Sequence, residues 1–259
     1  IDSLSEIYEN WIPKEKILYT NLWSSELAKL TANAFLAQRI SSINTISALC
    51  ERTGANIIQV SKAIGLDHRI GNKFLNSGPG FGGSCFQKDI LNLVYLSESL
   101  GLNEVSEYWN QVIEINTWQR QRISKLIIER LFGTVTGKKI GILGFSFKAN
   151  TNDTRESSAI QICRDLQEEG AFLMIHDPKV NVKDIEYYLG SKKINYPQIT
   201  STTKLDGFWS FTNDLDKTFH YSDALVIITE WPEYSKIKWE LVSKVMRRPG
   251  WIFDTRGIV

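Results

Sequence analysis

The sequence predicts an α/β protein in which an all-helical region precedes a domain built on a parallel sheet. Through most of the first half, apolar residues recur at three- and four-residue steps, and from about residue 138 short β-rich runs alternate with helical stretches. Strands separated by helices favour parallel pairing. The 259 residues suffice for one large or two modest domains. We divide them into a lead-in segment at 1–20, a helical central domain at 21–133 and an α/β domain at 134–259.

The longest helix is predicted from Leu22 to about Arg52, a stretch without Pro or Gly whose apolar residues form a broad stripe. Gly54, just past its end, is a plausible C-cap. Further helices are expected at 57–64, 86–100, 104–132 and 157–169. Strands are expected at 138–145, 172–178, 224–229 and 251–254.

The composition excludes several classes of protein. With 30 basic and 29 acidic residues the net charge is +1, and the charges are well mixed, which indicates neither a nucleic-acid nor a membrane surface. No apolar stretch approaches the roughly 20 residues that a bilayer crossing needs, and the first residues do not resemble a signal peptide. The three cysteines are odd in number and far apart, which argues against a disulfide framework and against zinc. We therefore expect a cytoplasmic protein without a metal.

The segment that points most clearly to chemistry is residues 80–89, with the sequence GFGGSCFQKD. Its glycines let a ligand approach the backbone closely. Cys85 follows them at a predicted helix start, where the positive end of the helix and Lys88 favour a thiolate. Asp89, four residues on, shares a helical face with Cys85 and could handle protons. A lone cysteine is usually structural, as we expect for Cys50 and Cys163, but this setting predicts a nucleophile.

The same segment resembles the catalytic-cysteine signature of the UDP-glucose/GDP-mannose dehydrogenase family, which oxidises the C6 hydroxyl of a nucleotide sugar to a carboxylate. Residues 22–39, LWSSELAKL and then ANAFLAQR, resemble the central helix of the family and in particular that of the animal UDP-glucose enzymes. Residues 144–157, with GFSFK and DTRES, resemble the start of its Rossmann-like UDP-sugar-binding domain, and Asp254-Thr255-Arg256 resembles its end.

The resemblance implies a reaction and catalytic roles. Family members oxidise UDP-glucose to UDP-glucuronate with NAD in two hydride transfers, through a cysteine thiohemiacetal and thioester. Cys85 would be the nucleophile. Lys29 and Asn33, four residues apart on one helical face, would stabilise oxyanions, and Asp89 would assist with water and protons. Without the resemblance, Lys29 would be interpreted as a solvated surface lysine.

The resemblance also assigns binding roles. The nucleotide sugar would contact Arg69, Phe74, Gly80, Phe81, Gly82, Phe86, Phe147, Lys148 and Arg256. Arg69 matches an arginine that reaches into a neighbouring subunit's site, which implies a homodimer or a higher homo-oligomer. Lys88 and Arg155 match positions that the family associates with NAD.

Three departures from the family pattern affect these expectations. Asn76 stands where animal enzymes carry Lys. Thr255 replaces a Gly and would strain its turn if that turn needs a positive φ. No Gly-x-Gly-x-x-Gly fingerprint precedes Lys29, and residues 141–144 lack its spacing. We therefore expect this chain to lack the NAD-binding domain that opens full-length relatives, to bind a UDP-sugar and to be inactive alone.

Two other interpretations are left open. The chain could belong to a dehydrogenase of another nucleotide sugar, such as UDP-N-acetylmannosamine or GDP-mannose. It could also be a non-catalytic oligomerisation or sugar-nucleotide-binding module, although the presence of Cys85, Lys29, Asn33 and Asp89 argues against binding alone.

Overall fold

A computed structural model describes residues 2–191 and 207–259. The helices are α1 Asp2–Tyr8, α2 Leu22–Thr53, α3 Ile57–Gly65, α4 Phe86–Ser99, α5 Asn103–Arg130, α6 Ser158–Glu168, α7 Val182–Leu189, α8 Leu215–Phe219 and α9 Trp239–Val245. The strands are β1 Lys139–Leu143, β2 Phe172–His176, β3 Phe208–Phe211, β4 Ala224–Ile227 and β5 Trp251–Asp254, and short 3-10 turns occur at Lys14–Lys16 and Tyr234–Lys236. The predicted long helices and the four predicted strands are confirmed within a few residues.

Strand β3 and the short helices α1, α7, α8 and α9 were not predicted. Strand β3 spans only four residues, too few for an alternating pattern to stand out. The lead-in segment contains α1, of seven residues, and a 3-10 turn. Elements this short are held by tertiary contacts more than by their own periodicity.

Helix α2 begins and ends with the local chemistry that a helix requires. The side chain of Asn21 accepts a hydrogen bond from the Ser24 N–H at 2.8 Å, and Gly54 ends the helix with φ 78°. The buried positions follow three- and four-residue steps and include Leu30, Ala34, Ala37, Ser41 and Asn44. This face packs against α4 and α5, so the predicted central helix contributes to the core of the helical region.

The second half of the chain forms a five-stranded sheet in the order β3-β2-β1-β4-β5, and every neighbouring pair is parallel. The predicted parallel α/β fold is therefore confirmed as Rossmann-like. Strand β1 lies at the centre, and the loop that follows it leads to the N-terminus of α6. In such sheets the loops at the carboxyl ends of the strands form the binding edge.

Helix α5 joins the two regions. Its C-terminal half contributes Ile123 and Ile127 to the same hydrophobic core as Ile140 of β1 and Ile162 of α6. The connection from α5 to β1, in which we place the domain boundary, is therefore short and packed. The C-terminal half of α5 is therefore part of the core of the α/β region.

Within residues 2–191 and 207–259, no helix combines the length and the low charge that a bilayer crossing requires. Over the same residues, no group of three or more His, Cys, Asp or Glu side chains is arranged to hold a metal.

Candidate functional site

Cys85 is an exposed thiol at the N-terminus of α4. It occupies the N-cap position, and its carbonyl accepts the Asp89 N–H at 2.9 Å. The Ser84 hydroxyl lies 3.7 Å from its sulfur. Cys50 and Cys163 are both buried, and burial raises the pKa of Cys163. The exposed, helix-capping cysteine is therefore the one chemically available thiol of the three.

Asp89 lies one turn after Cys85 and gathers two of the predicted catalytic side chains around its carboxylate. Asn33 donates to Asp89 Oδ2 at 2.5 Å, and Lys29 Nζ lies 3.5 Å from the same oxygen. Asp89 is 7% exposed, whereas Lys29 and Lys88 are solvent-facing. We call Lys29, Asn33 and Asp89 the Asp89 cluster. Helices α2 and α4 thus bring together residues that are distant in sequence.

The loop that leads to the cysteine, residues 78–85, is fixed by buried amide side chains; we call it the Cys85 loop. The N–H of Gly78 donates to Asn44 Oδ1 at 2.8 Å, and its carbonyl accepts from Gln119 at 2.9 Å. Asn116 accepts the Phe81 N–H at 2.8 Å and donates to the Phe81 carbonyl at 3.1 Å. Because buried backbone groups must be paired, these amides define the path of the loop.

Arg120 also forms hydrogen bonds that hold the same loop. Its Nη2 donates to the Phe81 carbonyl at 2.7 Å and to the Glu156 carbonyl at 2.8 Å. Neither Asn44 nor these α5 side chains were predicted as site residues. A signal was present, since Asn116, Gln119 and Arg120 place large polar groups at i, i+3 and i+4, on the face that also carries Val112, Ile123 and Ile127.

The glycines of the Cys85 loop make room for the protein's own atoms as well as for a ligand. A Cβ added to Gly82 would lie 2.4 Å from the Glu156 carbonyl oxygen. At Gly80, with φ 113°, an added Cβ would lie 2.7 Å from Asn116 Oδ1. The loop is therefore wedged between α5 and the connection from β1 to α6, and only glycine fits at either position.

Three further predicted residues follow β1 and adjoin the loop. The Gly83 N–H donates to the Arg155 carbonyl at 2.9 Å, and the ring of Phe147 packs against Gly83. Lys148 Nζ lies 5.3 Å from the centre of the Phe147 ring. The Arg155 side chain is exposed and pairs with Asp153 at 2.8 Å, which raises its pKa. The cations of this segment therefore face solvent near the Cys85 loop.

Arg256 lies beside Gly78, the first residue of the loop. Its Nε donates to the Ile228 carbonyl at 2.6 Å and lies 3.0 Å from a carboxylate oxygen of Glu230. A Cβ added to Gly78 would lie 3.3 Å from Arg256 Nη1. Burial lowers the pKa of Arg256. Arg256, Glu230, Gly78 and Asn76 line a cavity of about 730 Å³ between the two regions.

The backbone strain considered for Thr255 is absent from the structure. In the turn after β5 the left-handed residue is Gly257, with φ 67°, and Thr255 is not among the residues with positive φ. The hydroxyl of Thr255 donates to the Ile227 carbonyl at 2.6 Å. Asp254 accepts the N–H groups of Arg256 and Gly257 at 2.9 and 2.8 Å, which fixes the turn. Asn76, the other departure, is exposed at the rim of the cavity.

The remaining predicted residues occupy different surroundings. Phe86 packs edge-on against Phe81, with ring centres 5.9 Å apart. Phe74 is partly exposed with φ 61°. Arg69 is exposed and pairs with Asp67 at 2.6 Å rather than with the Asp89 cluster.

Comparisons with known proteins cover both regions of the chain. Residues 23–118 match the central domain of the UDP-glucose/GDP-mannose dehydrogenase family, and residues 141–259 match its UDP binding domain. The UDP-glucose 6-dehydrogenase of Mus musculus is 53% identical over 259 residues, and that of Drosophila melanogaster is 52% identical over 260. Both alignments cover 100% of this chain, but only 52% and 54% of the relatives. The chain thus spans about half the length of the curated relatives it matches.

Solved structures lead to the same fold. A UDP-glucose dehydrogenase from Pyrobaculum islandicum matches with a TM-score of 0.75 and 32% identity, over 91% of this chain and 48% of that one. A UDP-D-ManNAc dehydrogenase from Pyrococcus horikoshii matches with a TM-score of 0.78, over 100% of this chain and 54% of that one, but at 23% identity it shows the fold alone. Because both domain models match in order and together span most of the sequence, the chain belongs to the UDP-glucose/GDP-mannose dehydrogenase family.

Proposed function

We propose that this chain is the helical and nucleotide-sugar-binding half of an NAD-dependent UDP-glucose 6-dehydrogenase, which oxidises UDP-glucose to UDP-glucuronate. The observation that carries the proposal is the Asp89 cluster one helical turn from an exposed Cys85. The identity of more than half to UDP-glucose 6-dehydrogenases favours this substrate over other nucleotide sugars.

The residues of the site suit an alcohol that becomes a carboxylate. Lys29 Nζ and Asn33 Nδ2 are donors for the C6 oxygen as it gains negative charge. Asp89 would take the proton of the C6 hydroxyl and pass it to solvent, while the first hydride would leave to NAD. The Cys85 sulfur then adds to the aldehyde carbon and gives a thiohemiacetal, whose oxygen these donors stabilise. Loss of the second hydride gives a thioester. Water then attacks the thioester carbon, the Asp89 carboxylate takes the water's proton, and the carboxylate product and the thiol separate.

The chain offers one side of a cofactor site. NAD would supply the hydride-accepting chemistry, and Lys88 and Arg155 are exposed cations that suit its diphosphate. The strand–turn–helix at β1 does not form the usual dinucleotide cradle, since an added Cβ at Gly144 would lie 2.4 Å from the Thr229 side chain. The space beside this glycine is therefore filled by protein, which supports a cofactor site completed by residues outside this chain.

Cations also flank the loop where a UDP diphosphate would lie. Lys148 lies over the Phe147 ring, which packs against Gly83, and Arg256 lies beside Gly78. Arginine binds phosphate oxygens with two parallel hydrogen bonds. Because Arg256 Nε is held by Glu230 and Ile228, its terminal nitrogens are directed before any ligand arrives.

We also propose that the chain forms a homodimer or a higher oligomer. On α2, Trp23 is 63% exposed and Phe35 is 54% exposed, and large exposed apolar side chains are typical of interfaces. Sedimentation equilibrium tests this: a mass of one chain at micromolar concentration would contradict it.

Calorimetric titration of UDP-glucose into the chain tests the substrate assignment. We expect saturable binding that Arg256→Ala weakens about tenfold or more, since a lost hydrogen bond to a charged group has that effect. Arg130→Ala, at an exposed position on α5, is the matched control and should bind like the wild type. GDP-mannose in place of UDP-glucose should bind more weakly. Equal binding of both sugars, or none at millimolar ligand, would overturn the assignment.

A second experiment tests whether the chain can oxidise UDP-glucose by itself. With NAD and UDP-glucose, the chain alone should form no NADH, because most of the cofactor site is missing. Steady NADH production by the purified chain would show instead that it holds a complete active site.

A further inference from the structure

The proposed chemistry gives no role to Arg120, although this cation is almost fully buried. Arg120 is 9% exposed, and its Nε has no hydrogen-bond partner among the described residues. A buried charge costs so much desolvation that an apolar side chain of similar volume is often as stabilising. Stability alone therefore does not explain why a buried arginine occupies position 120. The contacts of its guanidinium group indicate a different role.

One nitrogen of Arg120 bridges two separate segments. Nη2 donates to the Phe81 carbonyl in the Cys85 loop and to the Glu156 carbonyl in the connection from β1 to α6. Nη1 lies 3.8 Å from the Glu156 carboxylate. Glu156 has φ 53°, a left-handed conformation that a side chain disfavours and that its surroundings must therefore impose. The arginine thus holds a strained residue of the α/β region against the loop.

A second contact depends on the same alignment. The Gly83 N–H reaches the Arg155 carbonyl, next to Glu156, and Gly82 fits against the Glu156 carbonyl with no room for a Cβ. Cys85 follows Gly83 by two residues. Without Arg120, the Phe81 carbonyl would retain its bond from Asn116, but the Glu156 carbonyl would lose the cation that draws it towards the loop.

We propose that Arg120 is a positioning residue that fixes the Cys85 loop against residues 155–156 and so keeps the Cys85 sulfur at the N-terminus of α4. The inference rests on the proposed function only in that Cys85 is the group to be positioned. The arrangement itself can be tested without substrate, cofactor or activity.

Amide hydrogen exchange of the whole chain, followed by mass spectrometry, is the first test. Arg120→Met keeps the volume and removes the donors. We expect exchange in the peptides that cover 78–86 and 154–158 to accelerate about tenfold or more. Peptides from β1 and from the middle of α2 should exchange at the wild-type rate. Arg130→Met, on the exposed end of the same helix, is the control. Should Arg120→Met fail to fold, Arg120→Lys replaces it, with a smaller change confined to the same two peptides.

Alkylation of Cys85 by iodoacetamide measures the consequence. The Cys85 sulfur is exposed and lies directly after the loop, so displacement of the loop changes the surroundings of the sulfur and should alter the alkylation rate about threefold or more, within the range for coupled residues. Arg120→Lys should recover most of the rate, because a single nitrogen makes both bonds in the wild type. Uniformly faster exchange across the chain, or an alkylation rate equal to that of Arg130→Met, would overturn the inference. Failure to bind UDP-glucose would contradict the proposed function and leave both of these results unaffected.

Discussion

The amide of Asn33 on α2 donates a hydrogen bond to the carboxylate of Asp89 on α4 at 2.5 Å, across 56 positions of sequence. This bond joins the central helix to the helix that begins at the cysteine. Lys29, one turn earlier on α2, lies 3.5 Å from the same carboxylate oxygen. The two helices are thereby locked in the register that sets the distance between the candidate nucleophile and its donors.

The first prediction concerns the stability of this bond. Asn33→Ala should lower the free energy of unfolding by about 1–2 kcal/mol, because it removes a partner from a buried carboxylate. Urea denaturation of the chain measures the change. The control is Asn110→Ala, which breaks a 2.8 Å bond to Glu114 on the surface of α5 and should cost less than about 0.5 kcal/mol. An equal loss in the free energy of unfolding for the two variants would contradict the view that the Asp89 cluster stabilises the packing of α2 against α4.

The second prediction tests the tight fit of the Cys85 loop. Gly82→Ala would place a Cβ 2.4 Å from the Glu156 carbonyl oxygen, so backbone must move, at a cost of about 1–3 kcal/mol. Gly101→Ala serves for comparison: Gly101 has φ 74° but nothing within 4 Å of an added Cβ, so its cost of about 1 kcal/mol reports backbone strain alone. Thermal unfolding of both variants measures the difference. A Gly82→Ala chain as stable as the wild type would mean that the loop is not wedged in solution.

The third prediction concerns the three thiols. In the folded chain, iodoacetamide should modify Cys85 and leave Cys50 and Cys163 intact, because Cys85 is exposed and the others are buried. Burial also raises the pKa of Cys163, which reduces its reactive thiolate form further. Peptide mass spectrometry before and after unfolding in urea checks this. Modification of Cys163 at the rate of Cys85 under native conditions would contradict the packing of α6.

Much of the fold could be predicted because its long helices and buried strands carry strong patterns. Helix α2 has an unbroken 32 residues with a glycine just beyond, and β4 is wholly buried. The four residues of β3 offered no such pattern. In the site, Cys85 and Asp89 stood out because a glycine loop and a helix start adjoin them. Asn116 and Arg120 did not, because a polar side chain that binds backbone through tertiary contacts looks in sequence like a surface residue.

The fourth prediction is a dependence of stability on pH that arises from His176. Burial lowers the pKa of His176 from its ordinary value of 6.5, although Asp177 and Asp214 oppose the shift and Glu233 lies 3.9 Å from Nε2. Its Nδ1 lies 3.0 Å from the Tyr234 hydroxyl. Because the pKa of His176 is lower in the folded than in the unfolded chain, its contribution to stability is fully present above pH 6.5. This contribution is lost as the pH falls from 6.5 through the pKa of the folded state.

In urea unfolding, the free energy of unfolding should therefore be lower at about pH 5 than at about pH 7.5. His176→Gln should make this difference smaller, because one proton contributes up to about 1.4 kcal/mol per pH unit. His68→Gln, at an exposed position, should leave the pH dependence unchanged. If the His176 variant kept the full loss, other groups would have to account for the acid sensitivity.

The last prediction concerns the turn that presents Arg256. A positive φ at residue 255 would have made Thr255→Gly stabilising. Here Gly257 takes the positive φ, while the Thr255 hydroxyl donates to the Ile227 carbonyl at 2.6 Å. Thr255→Gly should therefore destabilise the chain by about 1 kcal/mol, since it loses a hydrogen bond and adds freedom to the unfolded state. Because Asp254 still accepts the Arg256 N–H, UDP-glucose affinity should change less than about threefold. Calorimetry and thermal unfolding of the one variant measure both quantities, and a more stable Thr255→Gly chain would show that strain is present at Thr255 after all.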